Sequence, residues 1–219
     1  MILHNRMLSI GFILLALAFG AVNYASLPAE IPAHWNLAGE VDGTMPRLWG
    51  VLTLPLTMLG LLLLSELFLR FSPRGYRLDQ FSRVVGLLIN ILVAFLLVIY
   101  AVQILIARGV HLQMERVIGL GLGLVFLLLG NYMGKLRKNF FIGIRTPWTL
   151  ASAEVWDRTH RLAGYLFVIW GLVMLVAVLF WGSAQVLIWG LIAICAFLVA
   201  YSFILYRRLI GFNNGDEDG

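Results

Sequence analysis

The chain has 219 residues, 61% of them hydrophobic and 12% charged, against about 45–50% and about 25% in soluble domains. That composition excludes a soluble globular protein and a disordered one, and a single cysteine, Cys195, excludes a disulfide framework or a cysteine-built zinc site. The apolar residues fall in solid blocks rather than alternating runs, which excludes a transmembrane β-barrel and leaves helices.

At about 20 residues per membrane crossing, the blocks predict six spans, over 7–25, 49–69, 84–106, 117–133, 162–181 and 186–206. The expected fold class is all-α, a polytopic integral membrane protein. With the N-terminus inside, thirteen of the 16 Lys and Arg residues fall in inside segments, and only Arg47, Arg108 and Arg116 lie outside. Basic residues concentrate on the cytoplasmic side, so both termini are predicted to be cytoplasmic in a multi-pass protein. The net charge of +5 then belongs to topology, with membrane lipids as partners and no direct nucleic-acid contact.

The first apolar stretch is longer than a signal-peptide core and no small-x-small site precedes Leu27, so it is read as a retained span. The last two spans, separated by Gly182, Ser183, Ala184 and Gln185, predict a tight antiparallel hairpin. The chain divides into a two-helix unit 1–69, a third helix with flanking loops over 70–116, a three-helix unit 117–206, and a tail 207–219 whose polar, acidic end is expected to be disordered.

The outside loop, 26–48, carries Pro28 and Pro32, which enforce an extended approach, and Gly39 and Gly43 around Glu40 and Asp42, a composition suited to a turn or short hairpin. It has three readings. One is a recognition surface for an external ligand, with Trp35 as anchor and His34, Asn36, Glu40 and Asp42 as polar contacts. Another is a metal site of His34, Glu40 and Asp42, and the third is a compact cap over the bundle. No metal or cofactor is expected.

The cytoplasmic loop, 134–161, predicts a helix start in its second half. Ser152 is placed to cap it, Glu154 lies in the first turn, and Glu154–Arg158 and Asp157–Arg161 are acid-first pairs four residues apart. Val155, Trp156, Thr159 and Leu162 form a less polar side, so this segment is expected to lie along the membrane surface before turning into the fifth span. Lys135, Arg137, Lys138 and Arg145 have no acidic neighbours in sequence. They read either as topology charges against lipid or as a site for phosphate or an acidic protein. Arg145 precedes Thr146, Pro147 and Trp148, a rigid turn with an indole expected at headgroup level. His160 reads as a base or ligand, or as a helix-end donor to a loop carbonyl.

Metalloprotease, nucleophile-elbow and phosphate-loop motifs are absent from the sequence, and the chain is not expected to be an enzyme. Within the spans Glu66, Asn90 and Gln103 stand out as ionisable or amide residues, with Glu66 expected to reach Arg70 or Arg83. Gly119 with Gly123, and Gly130 with Gly134, have the spacing of close helix packing.

Two stretches resemble a known pairing. Leu27-Pro28, Ile31-Pro32, His34-Trp35-Asn36, Gly39 and Asp42-Gly43 resemble the small membrane domain of unknown function (DUF1648-like) found at the front of SdpI-type proteins. Gly130-Asn131-Tyr132, Lys135, the run Asn139 to Leu150, Val155-Trp156 and Thr159-His160-Arg161 resemble the SdpI signature. The likeness covers residues 14–65 and 125–180, departing where Gly134 replaces a frequent proline and Ala151 a frequent serine. It implies an integral membrane immunity protein that recognises an extracellular toxin peptide and holds a cytoplasmic transcriptional repressor at the membrane. The residues expected to contact that inner partner are Asn131, Lys135, Asn139, Arg145, Thr146, Pro147, Trp148, Trp156 and His160. The alternative is a membrane enzyme or transporter handling an anionic substrate at loop 134–161.

Overall fold

The computed structural model describes residues 2–36, 38–71, 82–180 and 185–211. The turn joining the last two spans and the chain beyond Gly211 lie outside these residues, as do the hairpin and disorder expected there.

In chain order the protein has α1 (Ile2–Asn23), β1 (Glu30–Trp35), β2 (Val41–Pro46), α2 (Arg47–Arg70), α3 (Ser82–Ala107), α4 (Met114–Met133), the short α5 (Pro147–Ala151), α6 (Ala153–Phe180) and α7 (Gln185–Leu209). Six of the helices are long and apolar enough to cross a membrane. The all-α expectation needs correction, because β1 and β2 pair as an antiparallel hairpin. Its strands meet a loop so rich in proline and glycine that a helix has no register in which to form.

One buried cluster joins α1, α2, α3 and the hairpin through Ala16, Ile31, Met58, Val93 and Ile104. A second joins α3, α4, α6 and α7 through Val85, Met133, Trp156, Ala163 and Leu198. Leu14, Leu63, Val98, Leu124, Leu172 and Phe197 remain exposed on the long helices, the outward apolar surface that a hydrocarbon solvent requires.

Packing of α4 on α6 depends on glycine. A Cβ on Gly130 would stand 2.8 Å from the Gly164 carbonyl oxygen, and one on Gly171 would stand 2.6 Å from that of Gly123. The two antiparallel pairs let the backbones approach, and in lipid such van der Waals fit replaces the hydrophobic drive. Gly134 has no part in this. It caps α4, and a Cβ there would meet only the Arg161 Cα at 3.9 Å.

Polar side chains tie the helices at specific points. Glu66 pairs with Arg6 of α1, where a partner on Arg70 or Arg83 was expected from its local position. Ser9 donates to Asn90 Oδ1 at 2.5 Å, Arg108 donates to Asn23 Oδ1 at 2.7 Å, and Gln103 Nε2 donates to the Pro32 carbonyl at 2.8 Å, fastening β1 to α3.

The surface segment expected before the fifth span is also corrected. α6 runs unbroken for 28 residues, about 42 Å at 1.5 Å per residue, so its first turns project beyond a hydrocarbon core of about 30 Å. Ser152 caps it through Val155 N–H at 3.3 Å. Val155, Trp156 and Thr159 are fully buried in protein, not laid on lipid. Glu154 and Arg158 form their pair at 2.5 Å, whereas among the described residues Asp157 and Arg161 do not.

Candidate functional site

Two ends of the bundle carry the residues singled out by the sequence. At the first, β1 and β2 pair Glu30 with Pro46, Ile31 with Met45, Pro32 with Thr44, His34 with Gly43 and Trp35 with Val41, with irregularities on either side of His34. Ile31 is fully buried against Gly50, where a Cβ would stand 2.2 Å from its Cδ1. Asn36 builds the turn. Its Oδ1 accepts from the Ala38 and Glu40 amides at 2.9 and 3.0 Å, its Nδ2 donates to Glu40 Oε2 at 3.0 Å, and Gly39 supplies the positive φ of 82°.

His34 Nδ1 lies 2.5 Å from Asp42 Oδ1, while Glu40 is engaged by Asn36. Among the described residues no three His, Cys, Asp or Glu side chains converge in the manner of a metal site. Trp35 is half-buried and faces a pocket of about 340 Å³ between the hairpin and α2, α3 and α4, whose walls include His34, Met45, Leu54, Ile99 and Gln103. The pocket is chiefly apolar. Gln103, one of its walls, carries a buried Oε1 with no hydrogen-bond partner. The sequence marks Gln103 as an amide in an apolar helix but gives no sign of its tie to Pro32 of the hairpin, 71 positions away.

At the opposite end, the loop between α4 and α6 is held by its own side chains. Asn139 is fully buried: its Oδ1 accepts from Phe141 and Ile142 N–H at 2.8 and 2.7 Å, and its Nδ2 donates to the Arg137 and Ile142 carbonyls at 2.8 and 3.0 Å. Thr146 caps α5 in a reciprocal box with Thr149, with Pro147 at the first helical position, and its hydroxyl meets Ser202 of α7 at 3.1 Å. Trp156 donates its indole N–H to the Leu136 carbonyl at 2.7 Å and stacks on His160 with centroids 3.9 Å apart.

His160 is fully buried. Its Nε2 accepts from Ile144 N–H at 3.0 Å and its Nδ1 lies 2.9 Å from the Trp156 carbonyl, to which it donates. One nitrogen accepting and the other donating define the neutral ring protonated at Nδ1. The donor contact expected with a loop carbonyl is made instead with its own helix, and the loop contact runs in the opposite sense. Gly143, at φ 113°, fits beside the ring because a Cβ would stand 2.4 Å from Nε2.

The expected inner-contact residues thus fall into two groups. Asn139, Thr146, Trp156 and His160 are buried and shape the loop. Asn131, Lys135, Arg145 and Pro147 are exposed. Trp148 is half-buried and meets the Phe203 ring edge-on at 5.0 Å, a protein contact where a headgroup position was expected. Arg145 is held by a 2.6 Å bond from Nη1 to the Phe140 carbonyl, a fixed cation presented outward.

The SdpI/YfhL protein family matches residues 135–206, and a domain of unknown function (DUF1648) matches residues 11–59. The chain is 27% identical over 211 residues to Immunity protein SdpI of Bacillus subtilis (strain 168), covering 94% of this chain and 98% of that protein. The chain carries an SdpI-family region behind a DUF1648 region. No solved structure matches it. With six apolar helices of spanning length, it is a multi-pass membrane protein. The SdpI region takes in most of the loop built on Asn139 and His160, and the DUF1648 region takes in the hairpin.

Proposed function

We propose that the chain is an SdpI-type immunity and signal-transducing protein of a bacterial cytoplasmic membrane, with both termini cytoplasmic. The hairpin side recognises an extracellular toxin peptide, and the loop around Arg145 engages a cytoplasmic regulator. The observation that carries this reading is the end-to-end similarity to an immunity protein, which spans both regions in one chain. The basic asymmetry supports the orientation. The chiefly apolar pocket beneath Trp35 suits an apolar side chain of a peptide. The protein acts by binding and not by turnover.

The test is survival of a toxin-sensitive host expressing the chain. Wild type should protect. Trp35→Ala should lose most protection at unchanged membrane abundance, since it strips the aromatic wall from the pocket. No protection against peptide toxins by the wild type sinks the immunity reading, and full protection by Trp35→Ala reduces the hairpin to a cap.

A further inference from the structure

At the end of the bundle opposite the hairpin, a polar pocket of about 370 Å³ opens between the end of α4 and the start of α6, lined by Gly134, Lys135, Leu136, Arg137, Asp157 and Arg161. Three of these side chains are cations and one is an anion. Among the described residues Lys135, Arg137 and Arg161 form no ion pair with protein carboxylates. Lys135 is steadied by the Tyr132 ring, 4.5 Å from its centroid. Since Gly134 has no side chain and the Arg161 Cα is its nearest neighbour, the floor between the two helices stays open.

Depth decides what fills it. The 20 residues of α4 rise about 30 Å, the thickness of the hydrocarbon core, so Met133 ends at the hydrocarbon boundary and the pocket lies at the level of lipid phosphates. Two arginines offer the forked donors that suit phosphate oxygens, and Lys135 adds a point charge. We propose that this pocket is a binding site for the phosphate of an anionic phospholipid. Such a site anchors the start of α6, and through Trp156 and His160 the fold of the loop behind it.

The full-length protein in nanodiscs of mixed phosphatidylcholine and phosphatidylglycerol provides the test, with retained lipid read by native mass spectrometry. Phosphatidylglycerol should be enriched around the wild type. The combined variant Lys135→Gln, Arg137→Gln, Arg161→Gln should hold it roughly 150-fold more weakly, given about 1 kcal/mol for each of three basic residues near an anionic surface. Gly134→Asp, which sets a carboxylate into the open floor, should also lose the enrichment while keeping all three cations. The combination Arg70→Gln, Arg207→Gln, Arg208→Gln removes as much charge from the same side and should leave it intact. Equal losses in both triple variants, or no enrichment around the wild type, overturn the site. Displacement of the lipid by millimolar inorganic phosphate overturns the lipid assignment in favour of a soluble phosphate.

Discussion

Replacing His160 by leucine keeps the side chain's bulk and removes its nitrogens. The Ile144 amide then loses the acceptor that holds it at 3.0 Å, and leaving such a donor unsatisfied costs about 1–3 kcal/mol. The Trp156 ring loses its stacked partner at 3.9 Å, a further cost of about 0.5–1.5 kcal/mol. The combined loss of roughly 2–4 kcal/mol falls on one short segment, so it should appear as local opening before any global unfolding. Hydrogen exchange of peptides covering 139–146, followed by mass spectrometry in detergent, should accelerate roughly 30- to 700-fold, at tenfold per about 1.4 kcal/mol. His160→Gln retains an acceptor and should lose less. Unchanged exchange in His160→Leu, or identical losses in the two variants, would show that the imidazole does not hold the loop, and the account of His160 given above would be wrong.

Three further predictions test the rest of the chain. In a Cys195→Ser background, Ala38→Cys should react with an impermeant thiol reagent from outside and Ala153→Cys should not; both positions are exposed, and Ala38 avoids the clash with Glu115 that a side chain at Gly39 would cause. Reaction at Ala153→Cys alone would invert the proposed orientation. Gly130→Ala should lower thermal stability by about 1–3 kcal/mol through overpacking against backbone, whereas Gly60→Ala, with nothing within 4 Å, should be neutral; equal effects would dismiss the glycine contact of α4 with α6. Arg145→Lys preserves charge but not the fork and should impair capture of a cytoplasmic partner, while Glu154→Gln loses an exposed pair worth under about 1 kcal/mol and should behave as wild type. Co-purification at matched membrane levels decides between them, and the reverse ranking would move the contact to the acidic face of α6.

What the sequence determines by itself is what local chemistry decides. Runs of about 20 apolar residues mark the six candidate spans because a bilayer core demands that length with its backbone bonded internally. Gly39 and Gly43 around Glu40 and Asp42 mark the turn between β1 and β2, and Ser152 marks the start of α6, because turn and cap bonds close within a few residues. The tertiary structure alone decides the rest: Glu66 meeting Arg6 sixty residues away, Gln103 fastening Pro32, His160 accepting from Ile144, and α6 continuing unbroken where a turn into the span was expected. In a soluble protein an apolar stripe would have announced which face of each helix turns inward. Here the outward face meets lipid and is as apolar as the inward one, so periodicity cannot separate them. Helix rotation, and with it every long-range polar contact, is set instead by glycine notches such as Gly130 against Gly164 and by a few buried polar ties, whose partners become visible only once the helices are packed.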